Sequence, residues 1–138
     1  MAVKFGVFVP QGWKMDLVGI EDPAGGEDLA VIAVSDLAVA TSSIRVNRWC
    51  FDGRVVHHLL DPRTGEPANQ GLLAVTVAAP DPAWAEVWSK ALYLAGRPAI
   101  ANEARSRGMA AWWIIDDGAL EMTPAARALT IWVASEAD

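Results

Sequence analysis

"LLAVTVAAPDPAWAEVWSKALYLAG", residues 72–96, contains the change of hydrophobic period on which the fold turns. Its first part, 72–80, is an apolar run stopped by Pro80, the pattern of a buried strand. Asp81 then offers a side-chain oxygen to a helix start, and Pro82 suits the first helical position, where no N–H partner is needed. Trp84, Val87, Trp88, Ala91, Leu92 and Ala95 follow at helical spacing up to Gly96. The stretch predicts a strand followed by a helix over 82–95, with the apolar stripe, Trp84 and Trp88 included, packed in the core.

Towards the carboxy terminus, a second helix over 97–107 is expected to stop at Gly108. "MAAWWII" reads as a strand, Asp117-Gly118 as a hairpin turn, Thr123-Pro124 as the opening of a short helix, and "ALTIWVA" as a closing strand. Trp112 and Trp113 fall on opposite faces of their strand, so at least one is expected to meet solvent or a partner. Towards the amino terminus, "KFGVFV" reads as a strand and residues 14–28, with Pro23, Gly25, Gly26 and several acids, as a loop or junction. Short apolar runs follow, "LAVIAV", "LAVATS", "IRVNRWCF" and "RVVHHLL". Asp52-Gly53, a pair that accepts positive φ readily, makes strands at 45–51 and 54–60 antiparallel neighbours. The sum is an α+β fold with a largely antiparallel sheet and two main helices.

The 138 residues suffice for one domain with a real core, and 53% hydrophobic against 20% charged residues excludes a disordered chain. A net charge of −6 argues against a nucleic-acid partner, because phosphate neutralisation needs clustered cations; the closest grouping is Arg97, Arg105 and Arg107. Cys50 is the single cysteine, so no internal disulfide forms, and its neighbours Trp49 and Phe51 favour a packed thiol over a reactive one. No segment approaches the roughly 20 apolar residues of a membrane span. The opening lacks the uninterrupted apolar core of a signal peptide, so a cytoplasmic location is expected for the chain as written.

Few motifs carry chemistry. "AGGED", 24–28, is too short for a dinucleotide fingerprint and reads as a turn. "HHLLDPRTGEPA", 57–68, holds both histidines, and on an extended strand His57 and His58 face opposite sides. His58 lies three residues before Asp61 at a strand end. A histidine held by a carboxylate serves as a general base, and an ordinary strand end followed by a turn explains the same spacing.

"VATSSIRVNRW", "DGRVVHHLLDPRTGEPA", "LLAVTVAAPDPAWAEVWSKALYLAG" and "RGMAAWWIIDDGALEMTPAARA" stand in the order of, and resemble, the carboxy-terminal half of the FAD:protein FMN transferase (ApbE) family over about residues 37–130. H-x-x-D-P-x-T-G is the most specific of these blocks. The resemblance implies that FAD is the substrate, magnesium the metal, and a threonine or serine hydroxyl of an acceptor flavoprotein the target, with release of AMP. It gives His58 the role of base, Asp61 that of orienting it, and Thr64 and Gly65 that of shaping the site. Thr41 and Ser42 of the "ATS" block would lie near the flavin.

Two departures accompany the match. The family's metal oxygens come from an Asp and, four residues later, a Thr on the helix after "VTV"; Glu86 and Lys90 stand there, leaving Glu86 as the candidate metal ligand. The family's amino-terminal half is missing. Instead, "MAVKFGVFVPQGWKMDLVGIEDP", residues 1–23, resembles the start of luciferase-like flavin monooxygenases, a barrel family of roughly 250 residues. The implied organisation is a foreign or junction segment over 1–28 and a truncated flavin transferase-like domain over 29–138. A sheet face left uncovered in such a domain predicts self-association. The competing function is a non-catalytic remnant that binds flavin or a protein.

Overall fold

The computed structural model describes residues 6–7, 16–43, 49–51, 54–56 and 71–134. Among the described residues ten strands and three helices follow in the order β1 Gly6–Val7, β2 Asp16–Ile20, β3 Ala30–Val34, β4 Ala38–Ser43, β5 Trp49–Phe51, β6 Arg54–Val56, β7 Leu72–Ala79, α1 Pro82–Ala95, α2 Arg97–Ser106, β8 Ala110–Ile115, β9 Leu120–Met122, α3 Pro124–Arg127 and β10 Thr130–Val133. All strand pairs among them are antiparallel. They form one sheet ordered β1-β2-β3-β10, a second ordered β4-β7-β8-β9, and the ribbon β5-β6. The α+β class with antiparallel pairing is therefore what this sequence builds.

The second sheet is the centre of the molecule, because both of its faces are covered. On one face Val75, Val77, Ala111, Trp113 and Ile115 pack with Leu92 and Tyr93 of α1 and Ile100 and Ala104 of α2. On the other, Ala74, Ala78, Trp112 and Ile114 pack with Val18, Ile20, Ala30, Ile32 and Val34 of the first sheet. The result is helices on sheet on sheet. This overturns the expectation that Trp112 or Trp113 meets solvent: they do point to opposite faces, yet their exposures are 0% and 3%. Each indole N–H keeps a partner, Trp112 donating to Thr130 Oγ1 at 2.9 Å and Trp113 to Glu121 Oε1 at 2.8 Å.

α1 forms over Pro82–Ala95 as its sequence predicts, with the Asp81 carboxylate accepting from the Ala83 amide at 2.8 Å. It ends at Gly96, whose φ of 85° lies in the region open to glycine and lets α2 begin at the next residue. Its buried stripe, however, is Ala85, Ser89, Leu92 and Tyr93. Trp84 and Val87 are 55% and 58% exposed. Small residues at 85 and 89 let the helix axis approach β4 and β7, and the large side chains are turned outward. Trp88 is half-buried, its ring 5.9 Å from that of Trp84 at a tilt of 55° and lying under the Arg107 guanidinium at 4.7 Å.

The segment read as a loop, residues 14–28, contains β2, which pairs with β3 from Asp16↔Val34 to Ile20↔Ala30. Only its second part is a turn: the Asp22 carboxylate accepts from the Ala24 amide at 2.9 Å, and Gly25 and Gly26 have φ of 97° and 94°. "KFGVFV" contributes β1, which pairs with β2 at the sheet edge. β5 and β6 pair as the Asp52-Gly53 turn predicts, with Phe51 opposite Arg54. Residues 28 and 29, where a domain boundary was expected, lie within the connection between β2 and β3 of a single sheet.

Candidate functional site

The ATS block occupies β4, at one edge of the central sheet. Alternation along the strand separates its two hydroxyls. Thr41 stands directly opposite Thr76 of β7, and their Oγ1 atoms are 2.7 Å apart. Ser42 is buried on the helix side, with its Oγ 2.9 Å from Ser89 Oγ on α1. The Ser89 hydroxyl donates its proton to the Glu86 carbonyl oxygen at 2.9 Å, so it accepts from Ser42. A relay Ser42, Ser89, Glu86 main chain thus ties the ATS strand to the first half of α1.

Glu86 itself points outward. Its Oε2 accepts from Lys90 Nζ at 2.8 Å, and the two side chains are 61% and 38% exposed respectively. The Lys90 hydrogen bond, assisted by its charge, holds the Glu86 carboxyl below the usual carboxylate range. A divalent ion such as magnesium requires several oxygen ligands and no cation among them. Here one carboxylate is already occupied by an ammonium, and no group of three His, Cys, Asp or Glu side chains converges among the described residues. The pair at 86 and 90 does not fit a divalent metal.

Of the residues singled out from sequence, the structure links Ser42 through Ser89 to the main-chain carbonyl of Glu86, leaves the Glu86 carboxylate facing outward, and turns Thr41 to the opposite face of the sheet. His58, Asp61, Thr64 and Gly65 lie outside the described residues, as does His57. Two residues that sequence reasoning passed over complete the hydroxyl arrangement: Thr76 and Ser89, which are 4% and 1% exposed. The signal was present in both cases. Thr76 interrupts an otherwise apolar strand, and Ser89 sits in line with Ala85 and Leu92 on the packed helix face, where a polar group needs a partner.

Surface clefts among the described residues lie elsewhere. One of about 360 Å³ is lined by residues including Leu37, Pro80, Trp84, Arg107 and Met109, and one of about 420 Å³ by Glu27, Asp28, Val31 and Trp132. Neither borders Thr41, Ser42 or Glu86. Among the described residues no helix is long and apolar enough to cross a membrane.

Against this geometry, the sequence matches the ApbE family over residues 6–113. The match takes in residues 6–23 of the opening stretch that was expected to be foreign. The chain is 31% identical over 110 residues to the FAD:protein FMN transferase of Salmonella typhimurium, covering 78% of this chain and 31% of that protein. It is 30% identical over 103 residues to that of Klebsiella pneumoniae, covering 73% and 29%. The crystal structure of the ApbE protein from Thermotoga maritima superposes with a TM-score of 0.77 at 30% identity, over 86% of this chain and 39% of that one. The apo form of the flavinyl transferase ApbE from Pseudomonas stutzeri gives 0.67 at 29% identity, over 82% and 36%. The chain therefore spans about a third of the length of these relatives. With a match over more than half of its residues and the same fold, the chain belongs to the ApbE family.

Proposed function

We propose that this chain carries the carboxy-terminal part of an FAD:protein FMN transferase and takes part in moving FMN from FAD to a threonine or serine hydroxyl of an acceptor flavoprotein. The observation that carries this reading is the family match over 6–113 together with the intact block "HHLLDPRTG" at 57–65. In the reaction, the acceptor hydroxyl oxygen bonds to the FMN-side phosphorus of the FAD pyrophosphate. The bond from that phosphorus to the bridging oxygen breaks, and AMP leaves. His58, neutral before the step, takes the hydroxyl proton; Asp61 fixes its tautomer and steadies the imidazolium. Thr64 and Gly65 shape the site, and Thr41 and Ser42 are the hydroxyls nearest the flavin in this reading. No step is assigned to magnesium, because residues 86 and 90 form an ion pair.

A second reading, a non-catalytic flavin-binding or interaction module, is favoured by one observation, the Glu86–Lys90 ion pair at the two positions that the family resemblance gives to metal oxygens. Incubation with FAD and an acceptor domain followed by intact-protein mass spectrometry separates the two: an acceptor gaining one FMN supports transfer, and bound but untransferred flavin supports the module. The outward Trp84 and Val87, with Ile131, Trp132 and Val133 on the edge strand β10, also support self-association. A clean monomer in size-exclusion chromatography at high concentration would count against that.

A further inference from the structure

The two positions that the family resemblance gives to metal oxygens are joined here as an acid and a base. Lys90 Nζ donates to Glu86 Oε2 at 2.8 Å, one helical turn apart and with the glutamate first, the favoured order on a helix. Glu86 and Lys90 each follow a buried residue, Ala85 and Ser89, so they stand at the margin of the helix face that packs on β4 and β7. The Ser42–Ser89–Glu86 relay fixes that margin beside the ATS strand. A permanent positive charge therefore sits where the family resemblance implies a divalent ion.

We infer that Lys90 is the built-in cation of this site: its ammonium replaces the divalent ion and binds a pyrophosphate oxygen of FAD, so that nucleotide binding does not depend on magnesium. The identity of the ligand rests on the flavin-transfer reading. Lysine suits the task, being a compact charge with three donors on a flexible stem. Its pair with Glu86 is exposed, and such pairs are weak, so the head group can leave the carboxylate for a phosphate. Glu86 then acts as the resting partner of the ammonium and not as a metal ligand.

The test uses the full chain and two independent readouts. Free Mn2+, followed by electron paramagnetic resonance without flavin present, reports divalent binding; FAD fluorescence anisotropy in EDTA and in magnesium reports nucleotide binding. The unaltered chain should leave the Mn2+ signal unchanged and bind FAD equally in both buffers. Lys90→Gln should weaken FAD by about tenfold, the loss of one charge-assisted hydrogen bond. The double variant Glu86→Asp/Lys90→Thr, which removes the ammonium, should lose FAD affinity in EDTA as Lys90→Gln does, and an unchanged affinity would overturn the inference. Stoichiometric Mn2+ binding by the unaltered chain, or FAD affinity about tenfold higher in magnesium, overturns the inference and leaves flavin transfer standing. FAD that binds in neither buffer overturns the inference and the flavin reading together.

Discussion

Truncating Trp112 to alanine tests whether the central sheet is covered on both faces. The indole is wholly buried between the two sheets, packed among residues of β2, β3, β7 and α3, and its N–H reaches across to Thr130 Oγ1 at 2.9 Å. Removing a buried tryptophan costs about 3–5 kcal/mol through lost contacts and a cavity. The Thr130 hydroxyl still donates to the Ala126 carbonyl at 2.9 Å but loses the donor it accepts from, which adds about 1 kcal/mol. The total, about 4–6 kcal/mol, is a large share of the 5–15 kcal/mol typical of a domain. Trp84→Ala is the control: that ring is 55% exposed, and its loss should cost no more than about 1 kcal/mol. Urea unfolding followed by far-ultraviolet circular dichroism measures both. A Trp112→Ala variant within about 1 kcal/mol of the parent chain, or a larger loss at Trp84, would refute the two-sided burial.

Asp81→Ala removes the side-chain cap of α1 and should cost about 1 kcal/mol in the same assay, with Asp81→Asn recovering most of it. Ser42→Ala and Ser89→Ala should be non-additive, because either one alone removes the bond between them, and Ser89→Ala also strands the buried Ser42 hydroxyl; a double-mutant cycle should give a coupling of about 1 kcal/mol, and simple additivity would deny the bond. Burial pushes the Tyr93 phenol up to about 12. Above its ordinary value near 10 the unfolded chain releases this proton while the folded chain keeps it, so the contribution is whole below about pH 10 and is lost as pH rises to about 12. Tyr93→Phe should flatten that part of the stability profile, and an unchanged alkaline slope would show that Tyr93 does not titrate this way.

Most of the architecture was legible because the chain marks its own boundaries. Pro80, Asp81 and Gly96 bracket α1, and Asp117-Gly118 joins β8 to β9. What was not legible is what each face meets. Helical spacing grouped Trp84 and Val87 with Leu92, yet periodicity ranks residues by polarity and cannot tell that Ala85 and Ser89 admit the closest approach to a sheet. Alternation placed Trp112 and Trp113 on opposite faces correctly, but only the tertiary arrangement covers both faces. β2 was missed because the neighbouring acids, Pro23 and the glycines dominate its window. At the candidate site, the departure at residues 86 and 90 was plain in the sequence. The partners of the ATS hydroxyls, Thr76 opposite Thr41 and Ser89 against Ser42, required coordinates.

The most direct measurement is the mass of an acceptor flavoprotein domain after incubation with this chain and FAD, run in parallel with His58→Asn. The account predicts an acceptor heavier by one FMN, AMP in the supernatant, and neither with the His58 variant. An acceptor of unchanged mass, or equal modification by the His58 variant, would contradict it.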